Sequence, residues 1–126
     1  MKVEGVVFES SDVKKLGNLQ VESIAVNLDI SSVAEEQRML KVHFTYTANY
    51  SSSKSHIRLS GFMLFSGSDA LQVAKDWPKT KKLSGLIGEQ IMSAITYSAS
   101  INSVFIARVF NLNPPITQPI VKLGTK

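Results

Sequence analysis

Apolar residues in the first half of the chain recur at every second position, which is the period of a half-buried β-strand. The polar segments 31–37 and 51–54 interrupt this alternation and are interpreted as connections. Because parallel neighbours need a long crossover, strands joined so closely are predicted to be antiparallel. The predicted strands cover residues 2–10, 21–30, 39–50 and 55–66.

The apolar pattern changes to a helical period after the fourth predicted strand. Ser68 is a candidate N-cap, and residues 69–77 predict a short helix that Pro78 ends. A longer helix is predicted over residues 86–110, with apolar side chains on two of its sides. Since one apolar stripe is enough to pack on a sheet, the surplus predicts both core and subunit contacts. The residues assigned to this oligomer interface are Ile91, Ile95 and Phe105.

The length and the order of these elements predict one domain over residues 1–126. The fold class is α+β, a four-stranded antiparallel sheet with helices packed on one face. The uncharged stretch 91–107 is too polar and too short to span a membrane. Glu4 and Glu9 argue against a secretory signal, so a cytoplasmic location is expected.

The amino-acid composition argues against several kinds of metal and catalytic site. The chain has no cysteine, which excludes disulfides, thiolate metal sites and cysteine nucleophiles. The two histidines, His43 and His56, lie on polar strand faces and are not spaced with carboxylates as metal ligands. A catalytic role would need a partner such as Asp29 across a strand pair. We therefore expect no cofactor, no metal and no enzymatic activity.

Two surface features indicate binding instead. Phe62 and Leu64 follow polar residues on the outer face of the fourth strand, and an exposed apolar patch marks an interaction site unless another segment covers it. A basic cluster surrounds Trp77, and the formal net charge is +4, which permits an acidic partner. Such a cluster is typical of nucleic-acid binding. The alternative is a solvated loop with Trp77 folded back onto the protein. Its lysines are Lys75, Lys79, Lys81 and Lys82.

Motifs in the second half of the chain form a recognisable series. Residues 61–67 are an apolar run that opens and closes with glycine. Gly88 precedes a long helix with Tyr97 at its centre, and residues 111–121 hold a proline pair with another proline downstream. Together with the order of elements, this series resembles the SecB family of protein-export chaperones. Residues 27–29 resemble a family strand in pattern.

The resemblance implies an ATP-independent holdase that binds unfolded or precursor polypeptides and assembles as a homotetramer or dimer. The apolar client groove would lie between the sheet and the loop joining the helices. Family members present an acidic surface and tail to a translocase ATPase, whereas this chain is basic and ends in lysine, so that partner is not expected. The residues assigned to client binding are Phe62, Leu64, Trp77 and Phe8.

Other functions remain open at this point. The basic loop near Trp77 would serve a nucleic-acid-binding module. A small-ligand-binding or enzymatic α+β domain would link His43 or His56 to a carboxylate. The two-sided long helix alone would support a purely structural oligomer.

Overall fold

Four strands followed by two helices make up the fold. The computed structural model describes residues 1–15, 23–51, 54–83 and 85–110. The strands form one antiparallel sheet in the order β1-β4-β3-β2, which confirms the predicted α+β architecture. The elements are β1 (Lys2–Lys14), β2 (Ile24–Glu36), β3 (Met39–Tyr50), β4 (His56–Ser66), α1 (Ser68–Thr80) and α2 (Gly85–Val109).

The two central strands follow the predicted alternation. On β3, every second residue from Leu40 to Tyr50 is buried, and on β4 the same holds from Ile57 to Phe65. Both helices cover this apolar face, α1 over β2 and β3 and α2 over β4 and β3. The core therefore lies between one sheet face and the helix pair.

The face of α2 that contacts the sheet is an i, i+4 row. Ile91 and Ile95 begin it and are 0% exposed in the single chain, where they pack in one core cluster with Trp77. Their assignment to a subunit interface is therefore corrected, because this chain's own core already covers them. The row continues through Ala99, Ser103 and Ala107.

Strand β2 is longer than its composition predicts. Residues 31–37, interpreted as a connection, contain its second half, which pairs with β3 after a bulge between Ile30 and Ser32. The chain then reverses at Gln37 and Arg38, whose φ values are 53° and 66°. A two-residue turn with positive φ favours Asn or Gly, so these side chains gave no sign of it.

Helix α1 also differs from the prediction at both ends. It begins after Gly67, whose φ is 117°, with no side-chain cap, so Ser68 is a helical residue and not the N-cap. Pro78 lies inside the helix, which ends at Thr80. The Lys81 N–H closes the last turn by donating to the Trp77 carbonyl oxygen over 2.8 Å. The proline removes one hydrogen bond near the helix end, where few remain to be lost.

Some predicted features fall outside the described residues. These are the proline-rich segment 111–121 with its extended piece 116–121, and Ser52 and Ser53 of the polar turn. Among the residues that are described, neither helix combines the length and apolar character needed to cross a bilayer.

Gly61 sets the distance between β1 and β4. A Cβ atom at this position would collide with the carbonyl oxygen of Val7. Gly61 pairs with Phe8 on one side and Phe44 on the other. The two phenylalanine rings meet edge-to-face, with centroids 5.9 Å apart at 87°, a favourable aromatic geometry. The missing side chain thus leaves room for both the strand contact and the ring contact.

Replacing Gly61 is expected to loosen β1. In Gly61→Ala the added methyl group forces β1 away from β4, and overpacking of this kind costs about 1–3 kcal/mol of unfolding free energy. Gly5→Ala is the matched control, because a Cβ there meets nothing within 4 Å. Urea denaturation monitored by circular dichroism should give a lower midpoint for Gly61→Ala only. Equal midpoints for the two variants would contradict the close approach.

Candidate functional site

The sheet face opposite the helices carries no other described element. At one end, three apolar side chains adjoin on this face: Val7 of β1, and Phe62 and Leu64 of β4. Val7 pairs directly with Phe62 and is 45% exposed. We call Val7, Phe62 and Leu64 the outer patch. Phe62 and Leu64 thus lie on the face that the sequence predicts, beside a residue that the sequence analysis did not select.

Polar side chains of β3 border the outer patch. The Lys41 Nζ atom lies 4.2 Å from the centroid of the Phe62 ring, and the His43 ring centroid lies 5.4 Å from it. Lys41 also forms an ion pair with Glu36, with 3.2 Å between Nζ and Oε1. A cation over an aromatic face is attracted by the ring quadrupole. The patch is consequently apolar at its centre and bordered on the β3 side by the Lys41–Glu36 ion pair.

Both histidines face carboxylates of β1. His56 Nε2 lies 2.8 Å from Asp12 Oδ2, and His43 Nδ1 lies 3.9 Å from Glu9 Oε1. Asp29, suggested by the sequence as a histidine partner, instead accepts a hydrogen bond from the Asn27 side chain. The first pair connects β1 to its neighbour β4, and the second connects β1 to β3 across β4, both on the open face. Within the described ranges, no three His, Asp or Glu side chains come together as a metal site.

The pKa of Asp12 is lowered by these contacts. The main cause is the hydrogen bond with His56, followed by the positive charges of His56, Arg58 and Lys14. Arg58 Nη1 lies 3.8 Å from Asp12 Oδ2. All of these groups favour the ionised carboxylate, so the outer half of β1 is attached to β4 partly by charge.

A groove of about 400 Å³ lies on the inner side of β1, between β1, β4 and the C-terminal half of α2. Its lining is partly apolar and partly polar. Phe8 forms part of its wall, and Phe105, 61% exposed, stands at its margin. The lining residues are Phe8, Glu9, Ser10, Ser11, Leu59, Asn102, Phe105 and Ile106. We call this surface the inner groove.

Trp77 contributes to neither surface. It is 8% exposed and packs in the core cluster that contains Val33 and Ile91. Its assignment to client binding is therefore corrected: the indole is folded back onto the protein, as the alternative interpretation of the basic loop held. The surrounding lysines remain exposed, but without an accessible ring among them on which a nucleobase could stack.

The two surfaces meet at one edge strand. Val7 points to the outer patch and its neighbour Phe8 to the inner groove, as alternation along a strand requires. In the described part of the chain, β1 pairs only with β4, and its opposite edge is open. Bulges lie between Val3 and Gly5 and between Phe8 and Ser10. The regular stretch between them, residues 5–8, contains Val7 of the outer patch and Phe8 of the inner groove, and the other β1 residues of the groove follow the second bulge.

Comparisons of the chain with models of protein families, with curated proteins and with solved structures give no match. The resemblance to the SecB family accordingly depends on the sequence motifs and the order of elements.

The attachment of β1 by Asp12 is expected to depend on pH. A carboxyl whose pKa is lowered by folding stabilises the folded state above its unfolded pKa, and that stabilisation is lost as pH falls through the folded value. For Asp, whose unperturbed pKa is about 3.9, the loss lies below about pH 4. Hydrogen-exchange protection factors of residues 10–14 should therefore fall on acidification. Asp12→Asn should show the reduced protection already at neutral pH.

Asp29→Asn is the matched control, since Asp29 lies on the opposite edge strand and contacts Asn27 alone in the described side-chain hydrogen bonds. It should keep the protection of residues 10–14 and its dependence on pH. Wild-type protection in Asp12→Asn at neutral pH would show that the carboxylate does not hold β1.

Proposed function

We propose that this protein is an ATP-independent holdase that binds unfolded polypeptides along β1. One observation carries the proposal: an open edge strand places an apolar side chain on each of its two faces, Val7 on one and Phe8 on the other. The outer patch is on one side and the inner groove on the other. A polypeptide lying beside residues 5–8 would reach both.

An extended client segment fits this arrangement. Its backbone would hydrogen-bond with the open edge of β1, and its side chains would point alternately to the outer patch and the inner groove. Backbone pairing does not depend on client sequence, whereas apolar burial contributes about 25 cal/mol per Å². Folded proteins have both kinds of group already satisfied, so the site would select unfolded chains. Binding of this kind needs no catalytic residue and no nucleotide.

Features of β1 also limit unwanted pairing. Open strand edges invite association between copies of a protein, and bulges and charges reduce that risk. Glu4 and Glu9 lie at the two bulges. They would restrict strand addition to a short segment, which suits transient binding better than stable self-association.

The SecB resemblance supports the same function. It implies precursor polypeptides as clients. The formal net charge of +4 does not match the acidic surface that the export family presents to its translocase, so we do not include that partner. The nucleic-acid alternative would have to operate without Trp77, which is buried.

Truncating the outer patch should weaken client binding. Phe62→Ala with Leu64→Ala removes two apolar side chains, each of which contributes about 1.5–3 kcal/mol when fully buried. We expect that half-maximal suppression of the aggregation of an unfolded test protein will require at least about tenfold more of the variant than of the wild type. The assay is light scattering by a chemically unfolded test protein, diluted into stoichiometric amounts of the holdase at low and high salt. Suppression by the wild type should survive high salt.

Thr45→Ala with Ser60→Ala is the matched control on the polar part of the same face. It removes both partners of a hydrogen bond 3.2 Å long, a change that is often nearly neutral. Suppression should be unchanged, and circular dichroism should show that both double variants fold. If the Phe62/Leu64 variant suppressed aggregation as well as the wild type does, the outer patch would be excluded as the client-binding site. Suppression that disappears at high salt would indicate the lysine cluster instead.

A further inference from the structure

Both histidines of the chain face carboxylates of the same strand, β1. They are the only two in the sequence, and they lie on different strands, His43 on β3 and His56 on β4. His43 Nδ1 is 3.9 Å from Glu9 Oε1, and His56 Nε2 is 2.8 Å from Asp12 Oδ2. These two pairs help to attach the second half of β1 to the open face of the sheet.

The side chain of histidine changes charge in a pH range where the other charged side chains do not. It gains a proton as the pH falls from about 8 to about 5, whereas carboxylates, lysine and arginine keep their charge there. The side chains of His43 and His56 are 34% and 21% exposed, so protons from the solvent reach both. Above this range each pair joins a neutral ring to a carboxylate, and below it each becomes an ion pair.

His56 is in direct contact with an anion and has two cations in its surroundings. The cations are Arg58, whose Nη1 atom is 3.8 Å from Asp12 Oδ2, and Lys14, which pairs with His56 in the strand register. Both oppose a further positive charge, but the Asp12 carboxylate lies at only 2.8 Å, and Coulomb attraction falls with distance. On the other side, β3 presents the uncharged Asn49. Protonation of His56 therefore strengthens its contact with β1.

Glu9 is the anion that faces His43. Among the ion pairs of the described residues, Glu9 has no partner other than His43. The residues that pair with His43 on its two sides are uncharged, namely Ser32 of β2 and Phe62 of β4. A proton on His43 thus gives Glu9 a charged partner that lies over the sheet, away from the open edge of β1.

The other charges of β3 and β2 near His43 do not oppose its protonation. Lys41 lies on the same face of β3, but Glu36 of β2 balances its charge at 3.2 Å. Asp29 of β2 pairs in the register with Thr45, the next residue of β3 on this face, and adds a negative charge. Both histidine–carboxylate pairs therefore gain attraction when the histidine takes up a proton.

The half of β1 that these pairs attach carries part of the client site. Glu9, Ser10 and Ser11 line the inner groove, and they directly follow the stretch 5–8. If residues 9–14 separated from β4, this wall of the groove would be lost. A Glu9 side chain that turned toward the open edge would also place a charge where a client strand pairs, and charges on an edge strand disfavour pairing.

We propose that protons regulate client binding: proton uptake by His43 and His56 strengthens the attachment of residues 9–14, so that the client site forms more fully at mildly acidic pH. The regulation of client binding rests on the proposed holdase function, whereas the attachment of β1 does not. Proton uptake and client binding favour the same state, so each increases the affinity for the other. Client affinity should therefore rise as the pH falls through the range in which histidine gains its charge.

Hydrogen exchange tests the attachment of β1 without a client. Protection factors of residues 9–14 should be at least about twofold higher at about pH 5.5 than at about pH 8, as two partly exposed ion pairs would give. His43→Gln with His56→Gln keeps polar side chains that cannot gain a charge, and it should show no such rise. Thr45→Ala with Ser60→Ala is the matched control, because it changes the same face and keeps both histidines.

A client peptide tests the regulation of binding. The probe is a short, extended apolar peptide, blocked at both ends and free of Asp, Glu and His, so that its own charge does not change with pH. Fluorescence anisotropy should give a dissociation constant at least about twofold lower at the acidic pH for the wild type and the matched control. The double histidine variant should bind the peptide equally at both pH values, and circular dichroism should show that each variant folds.

The outcomes separate the two proposals. Protection or affinity that rises as much in the double histidine variant as in the wild type would overturn the inference, because other groups would then cause the pH dependence. Constant protection in the wild type would overturn it too, as would a rise in protection without any change in the affinity for a bound peptide. If the peptide bound at neither pH, the holdase function would be contradicted instead, and hydrogen exchange would still decide whether the histidines attach β1.

Discussion

The contact between β1 and β4 at Gly61 is the constraint on which the surfaces of this protein depend. Only a residue without a Cβ lets the Val7 carbonyl approach this closely, and it also lets Phe8 and Phe44 meet across the vacant position. If β1 moved outward, Val7 would leave the outer patch and Phe8 would leave the groove. A single backbone contact inside the sheet thus positions the outer patch and the inner groove.

Helix α2 distributes its side chains in an unusual way. Toward the sheet, its C-terminal half places Ala99, Ser103 and Ala107, all fully buried, with Ile106 partly buried beside them. Its exposed large apolar residues include Tyr97 and Phe105. The small residues let the helix lie close enough to β3 for the Tyr46 hydroxyl to come within 3.4 Å of Ser100 Oγ. Core packing therefore accounts for the small residues on the sheet-facing side of this half of α2, but not for the exposed Tyr97 and Phe105.

The sequence predicted the parts of the fold in which each side chain faces a single environment. Strands β3 and β4 are half-buried, so their alternation was clear. The sequence did not predict side-chain positions that depend on pairing between distant strands. Val7 joins the outer patch only because β1 pairs with β4 and not with β2. The prediction also failed where the backbone adopts conformations unusual for the residue type, as at Gln37. The burial of Trp77 and Ile95 depends on how the helices lie on the sheet, and periodicity alone does not predict that arrangement.

The short regular stretch of β1 has a kinetic consequence. In the proposed holdase, pairing with residues 5–8 between two bulges would hold few client residues. Each contact would then dissociate quickly, because affinity differences appear mainly in the off-rate. A long unfolded chain offers many such segments, and a second segment kept near the site by the chain itself would bind through its high effective concentration. Residence time would then increase with client length, and a client that shortens its exposed segments by folding would be released without any external source of energy.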